Sequence, residues 1–388
     1  MQILTEERKL IKESAREFTM KRVLPIANKL DPEKGMIPRE LIDEMAELGY
    51  FSILIPEEYG GLGLGATEYC MVAEELSRGW MSVASLIARG NGLIGALKHL
   101  THEQKKEYLP RMARGEYLGA FSLSEANAGS DVANITCRAV RNGDHWEITG
   151  SKYWCTFADQ ADFIVVIART GPKVDPKARH KGLSAFMVEK PRGQLPENCK
   201  GSTIPKIGYF GWTTWELAFD KCRVPATHMI GEEGRGFYLA TAGLETARAH
   251  TAARAIGLAQ GALEDSLVYA KERNQFGRSI GEFQAIRFKL ATMATQIEAS
   301  RALMYSVCEQ IDQGQRCDTQ AAMVKLFATE MAEQVTSEGL QIHGGAGYTT
   351  HFAVERHWRD ARLTKIFEGT SEIQQRIISD ALLGKVPQ

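Results

Sequence analysis

The chain has 388 residues, and its 47 Lys and Arg residues nearly balance 48 Asp and Glu residues, which gives a formal net charge of −1 at pH 7. A chain of this length can bury a large core and is expected to form roughly two or three subdomains. The balanced charge offers no basic excess for a nucleic-acid backbone, so nucleic-acid binding is not expected. Because no run of about 18 apolar residues occurs, we expect no membrane-spanning helix.

Cysteine usage and the chain ends bear on the compartment. Seven cysteines are scattered without a Cys-x-x-Cys pair, which argues against zinc and favours free thiols in a reducing compartment. Residues 1–8 lack the pattern of a signal peptide or an Arg-rich transit sequence, and residues 386–388 are not a peroxisomal signal. We therefore expect a bacterial cytoplasmic protein, with a processed mitochondrial matrix form as the alternative.

Residues 1–118 have the periodicity of helices and form the first predicted domain. Apolar residues recur at helical spacing up to Pro25, which predicts a break or kink, and residues 39–48 form another such segment. A glycine-rich stretch contains Gly61-x-Gly63-x-x-Ala66, a near match to a dinucleotide-binding fingerprint. No clear strand precedes it and no βαβ unit follows, so we interpret it as a turn.

Strand patterns replace helical ones over residues 119–227. Four segments have the alternation or the apolar run of a strand, at residues 145–149, 162–168, 183–188 and 216–219. They predict a small β-barrel or sandwich as the middle domain. Helical periodicity returns over residues 228–388, for example in 252–273 and 283–310. Helices, then strands, then helices predict an α+β protein of three domains.

One carboxylate near the end of the chain stands out. Glu368 follows the apolar pair Ile366 and Phe367, which would partly desolvate it and make it a stronger base. Gly369 lets the backbone approach a ligand closely. Thr370 and Ser371 are suited to cap the next helix, with Gln374 in the capping-box position. The alternative is an acidic residue in an ordinary capping loop.

Five motifs in order carry a family resemblance. They are the segments 121–131 (FSLSEANAGSD), 153–156 (YWCT), 273–277 (RNQFG), 341–348 (QIHGGAGY) and 366–374 (IFEGTSEIQ). Together they resemble the acyl-CoA dehydrogenase family of FAD flavoproteins, and the likeness extends over essentially the whole chain. It implies a C-terminal four-helix bundle, a homotetramer, an acyl-CoA substrate and electron transfer to an electron-transfer flavoprotein.

The resemblance also implies the chemistry, which is α,β-dehydrogenation of an acyl-CoA thioester. Glu368 would remove the α proton, its backbone N–H would bind the thioester oxygen together with a flavin ribityl hydroxyl, and hydride would pass from the β carbon to the flavin. Desolvation by the substrate would raise the pKa of Glu368. The other place for the base in the family is Ala247 here, which cannot take a proton. Arg248 is expected beside Glu368, holding its loop, or else in a helix-surface ion pair.

The remaining site predictions follow the motifs. Ser124 and Leu123 would contact the flavin ring, Trp154 and Thr156 would flank it, with a core position as the alternative for Trp154, and Arg273 would bind the FAD pyrophosphate across a subunit interface. The predicted cofactor-binding residues are Phe121, Leu123, Ser124, Trp154, Thr156, Arg273, Gln275, Phe276, Gln341, Gly344, Gly345, Thr370 and Glu372. The predicted substrate-binding residues are Arg89, Ser130, Glu245, Arg248 and Gly369.

Two departures from the family bear on the acyl group. Arg89 lies in the helix that forms the floor of the acyl pocket in relatives, and a cation there calls for a substrate carboxylate, as in methylsuccinyl-, glutaryl- or benzylsuccinyl-CoA. Alternatively Arg89 turns outward or pairs with an acid such as Glu75. Arg78 is a second candidate for that role. Trp212 and Trp215, with Trp80, form an aromatic pocket wall or else core and interface filler.

Several other functions remain as alternatives. The chain resembles dehydrogenases of short, medium or branched fatty acyl-CoA as well, and an oxidase or a decarboxylating dehydrogenase would use the same fold. A non-catalytic binding member of the fold is disfavoured by Glu368, Arg273 and Ser124. A nicotinamide enzyme is disfavoured because no βαβ unit accompanies the glycine loop. His343 and His351 have no partner at metal-ligand spacing, so we interpret both as structural and expect no metal.

Overall fold

The computed structural model describes residues 4–91, 99–172 and 179–385. Helices come first, an eight-stranded sheet follows, and helices close the chain. The predicted α+β organisation is therefore confirmed. Within the described ranges, no helix is long and apolar enough to cross a membrane.

The N-terminal region consists of short helices around one buried helix. The helices are Glu6–Phe18, Leu24–Leu30, Arg39–Glu47, Ala66–Gly79, Met81–Leu86 and His102–Ala113. Helix Ala66–Gly79 is buried along its whole length. The break predicted at Pro25 takes the form of a π-helical segment, Thr19–Val23, and Pro25 itself lies in the first turn of the next helix, where its missing N–H removes no hydrogen bond.

The glycine-rich stretch forms a turn before helix Ala66–Gly79. Gly61 is required because a Cβ there would lie 2.0 Å from the carbonyl oxygen of Ile55. The helix that follows is capped from a distance, since the Asp312 carboxylate accepts hydrogen bonds from the Ala66 amide at 2.6 Å and the Thr67 amide at 3.2 Å. A carboxylate bound to those amides fits a structural cap.

The middle region is one mostly antiparallel sheet. Its strands are β1 Gly119–Ser122, β2 Arg138–Asn142, β3 His145–Thr156, β4 Phe163–Arg169, β5 Leu183–Glu189, β6 Cys199–Thr203, β7 Thr214–Pro225 and β8 Met229–Ile230. They are arranged in the order β6-β7-β3-β2-β4-β5-β8, and β1 pairs in parallel with β4. Sequence analysis recognised β3, β4, β5 and β7.

Strand β4 is buried on both faces, which explains its continuous apolar run. Phe163, Val165 and Ile167 pack with helix His102–Ala113 in one cluster. The residues between them, such as Ile164 and Val166, belong to the main core that continues into both helical regions. The sheet therefore lies between helical layers.

The C-terminal region is a helical bundle built on one central helix. Its helices are Gly236–Thr241, Leu244–Glu272, Gln284–Asp312, Asp318–His343, Val354–Thr364 and Ser371–Leu383, with a two-stranded ribbon, Asn274–Gln275 and Arg278–Ser279. Helix Leu244–Glu272 packs against three of these helices and against helix Ala66–Gly79. Alanines on the central helix, such as Ala252, Ala253 and Ala255, are fully buried and allow this close packing.

Candidate active site

Glu368 lies in the loop between helices Val354–Thr364 and Ser371–Leu383. Its backbone is left-handed, with φ 53°, and Gly369 follows at φ 90°. The left-handed region is strained for a residue with a Cβ, at a cost of about 1–3 kcal/mol, and such strain concentrates at functional sites. Glu368 shares this conformation with seven other non-glycine residues of the described ranges, among them Trp154 and Phe276.

Buried side chains hold this loop in place. Lys325, which is fully buried, donates from Nζ to the Gly369 carbonyl at 2.7 Å, and Gln374 Nε2 donates to the same oxygen at 3.0 Å. Thr370 caps helix Ser371–Leu383 by accepting from the Ile373 amide at 3.3 Å. Gln374 thus bonds Gly369 instead of completing the predicted capping box.

The carboxylate of Glu368 is held from the central helix of the bundle. Arg254 Nη2 donates to Glu368 Oε1 at 2.8 Å, and the Thr251 hydroxyl donates to Oε2. Arg254 is 1% exposed and also donates to Ser85 Oγ at 2.7 Å. The carboxylate is fixed at both oxygens while 36% of the side chain stays exposed.

The prediction that Arg248 holds Glu368 is wrong. Arg248 is buried elsewhere, and its guanidinium lies 3.5 Å from the backbone oxygen of Asp318. Glu245, which was also predicted to bind the substrate, accepts a hydrogen bond from the Cys317 amide at 2.7 Å. Arg248 and Arg254 are six residues apart on one helix, so at about 100° per residue they point in different directions.

A signal for Arg254 exists in the sequence. Ala247, the family's other place for the base, is seven residues before Arg254, which is two helical turns, and Thr251 lies between them. These three positions form one stripe on the helix, and an arginine in line with Ala247 and Thr251 is conspicuous on a helix that is otherwise rich in alanine. The prediction considered Ala247 alone and left out Thr251 and Arg254, which lie on the same face of the helix.

The pKa of Glu368 is lowered from its usual range. Burial raises the pKa, but the charge of Arg254, the hydrogen bonds from Thr251 and Arg254, and the charge of Lys325 together outweigh it. The expected increase in basicity from Ile366 and Phe367 is therefore absent in the ligand-free protein. Among described residues, the Glu368 amide has no hydrogen-bond acceptor, so its N–H is available to a ligand oxygen.

Arg89 lies at the far side of the same region. Its guanidinium is stacked 4.9 Å from the ring centre of Trp212 and 5.7 Å from that of Phe157. Its Nε atom is shielded from solvent and has no hydrogen-bond partner among the described residues. Burial lowers the pKa of Arg89, while Tyr209, Cys155 and Glu368 act in the opposite direction. Arg89 therefore points inward, towards the side of the molecule that carries Glu368.

The alternative placements of Arg89 and its neighbours are wrong. Glu75 lies 3.7 Å from both Lys12 and Arg16 at the outer side of the helices. Arg78, the second candidate for binding a substrate carboxylate, pairs with Glu264.

The three tryptophans play separate roles. Trp80 is buried and donates from Nε1 to Asp31 at 3.2 Å, which makes it a core residue. Trp215 donates to Asp159 at 3.1 Å at the start of β7. Trp212 is the one that contacts Arg89, and its own Nε1 has no partner among the described residues. The predicted aromatic wall is thus reduced to Trp212, together with Phe157.

The predicted flavin-ring residues gather on the sheet. A bulge in the β3–β7 pairing between Lys152 and Cys155 leaves Trp154 at φ 64° with 57% of its surface exposed. The carbonyl of Ser124 accepts from the Tyr153 amide at 2.8 Å, and that of Leu123 accepts from Lys152 Nζ at 2.8 Å. Phe121 lies on β1, and the Thr156 hydroxyl is 3.0 Å from that of Thr214.

The predicted FAD-phosphate residues gather at one end of the bundle. Phe276, at φ 52°, is 93% exposed in the turn of the ribbon beside Arg273 and Gln275. Helix Asp318–His343 ends in the same place, because His343 stacks on Tyr269 with ring centres 4.3 Å apart. The exposed residues at this end of the bundle include Arg273 and Gln275 at the ribbon. They also include Gln341, Gly344 and Gly345 at the end of helix Asp318–His343.

The other predicted residues are scattered. Glu372 and Ser130 are exposed and Thr370 is half-buried, and a Cβ on Gly344 or Gly345 would meet nothing within 4 Å. No hydrogen bond, ion pair or ring contact between described residues joins the group around Trp154 to the group around Arg273. His343 bonds the Gly339 carbonyl at 2.8 Å, and His351 is exposed.

Comparison with known proteins identifies the family. Three family models match in order: the acyl-CoA dehydrogenase N-terminal domain over residues 5–116, the middle domain over 120–222 and the C-terminal domain over 234–383. The chain is an acyl-CoA dehydrogenase. The family resemblance seen in the sequence is confirmed, and with it the assignment as an oxidoreductase acting on acyl-CoA.

Three relatives illustrate the breadth of this family. The (2S)-methylsuccinyl-CoA dehydrogenase of Cereibacter sphaeroides is 40% identical over 98% of this chain and 70% of its own length. A chain solved in work on the electron transferring flavoprotein of Acidaminococcus fermentans is 38% identical, with a TM-score of 0.92 and 98% and 99% coverage of the two chains. A glutaryl-coenzyme A dehydrogenase in complex with glutaryl-CoA is 33% identical, with a TM-score of 0.90 and coverage of 98% and 96%.

FAD is the cofactor of this acyl-CoA dehydrogenase, as predicted. The residues fit such a group in two respects. Trp154 presents an exposed aromatic face beside the β3 bulge, which suits a planar ring system. Gly344 and Gly345 leave open space at an exposed helix end next to Arg273, which suits a phosphate chain approaching the backbone.

Proposed function

We propose that this enzyme dehydrogenates an acyl-CoA whose acyl group carries a second, free carboxylate, of the succinyl or glutaryl type. Glu368 is the base that removes the α proton, and an electron-transfer flavoprotein accepts the electrons. Arg89 binds the free carboxylate. The observation that carries the substrate class is the inward-facing guanidinium of Arg89, which has aromatic neighbours and no described acid as a partner.

The chemistry requires a base and an oxygen-binding group at the thioester. The α proton of a thioester is too weakly acidic to leave unaided, so the carbonyl oxygen must be hydrogen-bonded while a carboxylate takes the proton. Glu368 supplies both, because its exposed carboxylate and its unpaired amide belong to one strained residue. FAD, when bound, accepts the hydride from the β carbon.

The energetics of Arg89 favour a charged ligand. Stacking of a cation on an aromatic ring stabilises by about 0.5–2 kcal/mol. Removing a cation from water costs several kcal/mol when nothing pairs with it. Arg89 is half-buried and its Nε is shielded from solvent, so stacking on Trp212 and Phe157 leaves part of the desolvation cost uncompensated, and a ligand carboxylate would compensate it.

The charge balance around Glu368 supports the same class. The positive charges of Arg254 and Lys325 lower the pKa of Glu368, and the negative charge of Glu368 acts to raise the pKa of Arg89. Among the described residues, the cations Arg254, Lys325 and Arg89 interact with the single carboxylate of Glu368, so an acyl group that carries one negative charge on its free carboxylate is electrostatically favoured. The similarity to a (2S)-methylsuccinyl-CoA dehydrogenase agrees with this charge balance.

The partners follow from the arrangement of the flavin residues. No hydrogen bond, ion pair or ring contact among the described residues joins the group around Trp154 to the group around Arg273, so we propose that one FAD is bound by two subunits of a homotetramer. Residues Arg273, Gln275, Phe276, Gln341, Gly344 and Gly345 would bind the FAD of the neighbouring subunit. The similarity to a chain solved in work on an electron transferring flavoprotein supports that protein class as electron acceptor.

The test is anaerobic bleaching of the bound flavin by a panel of thioesters. The panel contains butyryl-, octanoyl-, glutaryl-, methylsuccinyl- and benzylsuccinyl-CoA. Rapid bleaching by carboxylate-bearing members alone supports the proposal. Equal or faster bleaching by butyryl- or octanoyl-CoA would overturn the substrate class and make the protein a fatty acyl-CoA dehydrogenase. Bleaching by benzylsuccinyl-CoA in preference to the smaller diacids would show that Trp212 accommodates an aryl group.

A further inference from the structure

Arg254 binds the base that the proposed reaction needs to be free. Its Nη2 lies 2.8 Å from Glu368 Oε1, at the middle of helix Leu244–Glu272, and the guanidinium is 1% exposed. An ionised carboxylate held by a guanidinium and a hydroxyl is a weaker base than one held by neither. The contacts with Arg254 and Thr251 therefore orient the Glu368 carboxylate and lower its basicity.

Arg254 is also anchored to the element that carries Arg89. Its Nη1 donates to Ser85 Oγ at 2.7 Å. Ser85 is one helical turn before Arg89, and both residues belong to the continuous segment of helix Met81–Leu86 and the 3₁₀ turn Ile87–Arg89. Tyr209, whose pKa burial raises, feels the charges of both arginines. Both guanidinium groups thus face the region between Tyr209 and Glu368.

Other charged and titratable groups complete the surroundings of Glu368. Lys325 approaches from helix Asp318–His343, and Tyr69 from helix Ala66–Gly79. His250 stacks on Tyr69 with ring centres 4.5 Å apart, and Arg254 lowers its pKa further after burial has done so. Arg254 is the cation in direct contact with the carboxylate oxygen, so its removal is expected to change Glu368 most.

We propose that Arg254 is a positioning and specificity-determining residue, which holds Glu368 in the free enzyme and exchanges it for the free carboxylate of the acyl group. The incoming carboxylate pairs with Arg254 and Arg89, and Glu368 keeps its Thr251 hydrogen bond while losing its cation. Loss of the cation raises the proton affinity of Glu368 at the moment when the α carbon is beside it. An uncharged acyl chain leaves the Arg254–Glu368 pair intact and meets a weaker base.

The inference rests on the proposed function and adds a control on when Glu368 can act as a base. Binding and proton abstraction become coupled, because the charge that recognises the substrate is the charge that restrained the base. The coupling needs no movement of the backbone, since one guanidinium changes its partner.

The test compares Arg254→Gln and Arg254→Lys with wild type, using methylsuccinyl-CoA and butyryl-CoA. The profile of kcat/KM against pH reports the base in the free enzyme. With butyryl-CoA, Arg254→Gln should move the acidic limb up by about one pH unit, and Arg254→Lys should restore most of the wild-type profile. With methylsuccinyl-CoA, kcat/KM of Arg254→Gln should fall by about 30-fold or more, as for loss of a charged hydrogen bond.

A second readout avoids turnover. Calorimetric binding of the two unsaturated product thioesters should show about tenfold or greater weakening in Arg254→Gln for the carboxylate-bearing one, and little change for the other. Arg301→Gln is the matched control, because Arg301 is 11% exposed and pairs with Glu74 at 2.8 Å away from the Glu368 loop. It should leave the limb and both affinities unchanged.

The outcomes separate the two hypotheses. An unmoved acidic limb together with equal losses for both thioesters would make Arg254 a structural residue and overturn the inference. A wild-type enzyme that bleaches with butyryl-CoA and not with methylsuccinyl-CoA overturns the proposed substrate class. In that case a displaced limb in Arg254→Gln still supports the positioning role and overturns the specificity role.

Discussion

Two arginines, the fully buried Arg254 and the half-buried Arg89, lie on opposite sides of one region and differ in their partners. Arg254 donates to Glu368, Ser85 and Thr251, so its charge is neutralised and its hydrogen bonds are met. Arg89 is stacked on Trp212 and Phe157, and its Nε has no partner among the described residues. Burial without an acid is expensive, so a paired cation is understood from the protein alone and an unpaired one calls for a ligand.

This difference indicates which side of the region is to be tested for substrate recognition. Both residues are arginines that face the same region, and they differ in their hydrogen-bond partners and in burial, since Arg254 is 1% exposed and Arg89 is half-buried. In the proposed function, the Arg254–Glu368 pair sets the basicity of Glu368, and Arg89 binds the free carboxylate of the acyl group. Substitutions that affect one side and spare the other are therefore the sharpest tests.

The largest effect is expected for Glu368→Gln. The amide keeps the size of the side chain and cannot accept the α proton, so the rate of flavin bleaching should fall by about 10²–10⁴-fold. FAD content, read from the visible absorbance, should stay at the wild-type level. A variant that kept more than about a few per cent of the rate would remove Glu368 from the role of base.

Arg89→Gln should alter selectivity next. The KM for a diacid thioester should rise about tenfold to 100-fold, because a charge-assisted hydrogen bond contributes about 1.5–3 kcal/mol. Butyryl-CoA serves as the internal control, and its KM should fall or stay constant. An unchanged KM for methylsuccinyl- and glutaryl-CoA would show that Arg89 does not bind the free carboxylate of the substrate.

Lys325→Met tests the support of the Glu368 loop. It removes the hydrogen bond from Nζ to the Gly369 carbonyl, and burial has already lowered the pKa of Lys325 to about 8. We expect kcat to fall about tenfold, with a loss of about 2 kcal/mol in the free energy of unfolding.

The matched control for that substitution is Lys190→Met. Lys190 is also buried with a pKa lowered to about 8, and it donates to backbone carbonyls of Asp159 and Pro191 in the sheet region. It should lose stability and keep kcat. Equal losses of kcat in both variants would mean that Lys325 acts on the fold alone.

The smallest expected effect is a pH dependence of stability from His250. Burial and Arg254 lower its pKa well below 6.5, so the folded state stays neutral while the unfolded state takes up a proton. Stability from this group is therefore present above about pH 6.5 and is lost on acidification, by up to about 1.4 kcal/mol per pH unit.

Melting temperatures between pH 7.5 and pH 5.5 provide the measurement. His250→Phe keeps the stacking on Tyr69 and removes the titration, so its melting temperature should fall less than that of wild type. His102→Phe, at an exposed histidine, should follow the wild-type curve. A parallel fall in all three would assign the acid sensitivity to other groups.

Much of the fold could be predicted from local pattern. Strand β4 could be recognised as a continuous apolar run because it is buried on both faces. Helix Leu244–Glu272 could be recognised from its long alanine-rich sequence. The short strands β1, β2, β6 and β8 were missed, because two to five residues carry little periodicity. The π-helical segment before Pro25 depends on packing that no local pattern records.

The sequence by itself determined the family, the cofactor and the singular position of Glu368, because these depend on ordered motifs and on a residue type that chemistry requires. Tertiary structure alone decided that Arg254, and not Arg248, holds Glu368, and that Arg89 faces Trp212 instead of Glu75. The physical reason is geometric. Glu368 lies 114 residues beyond Arg254 in the chain. Which side of a helix meets so distant a loop is set by helix packing, since intrinsic propensity is the same for either arginine.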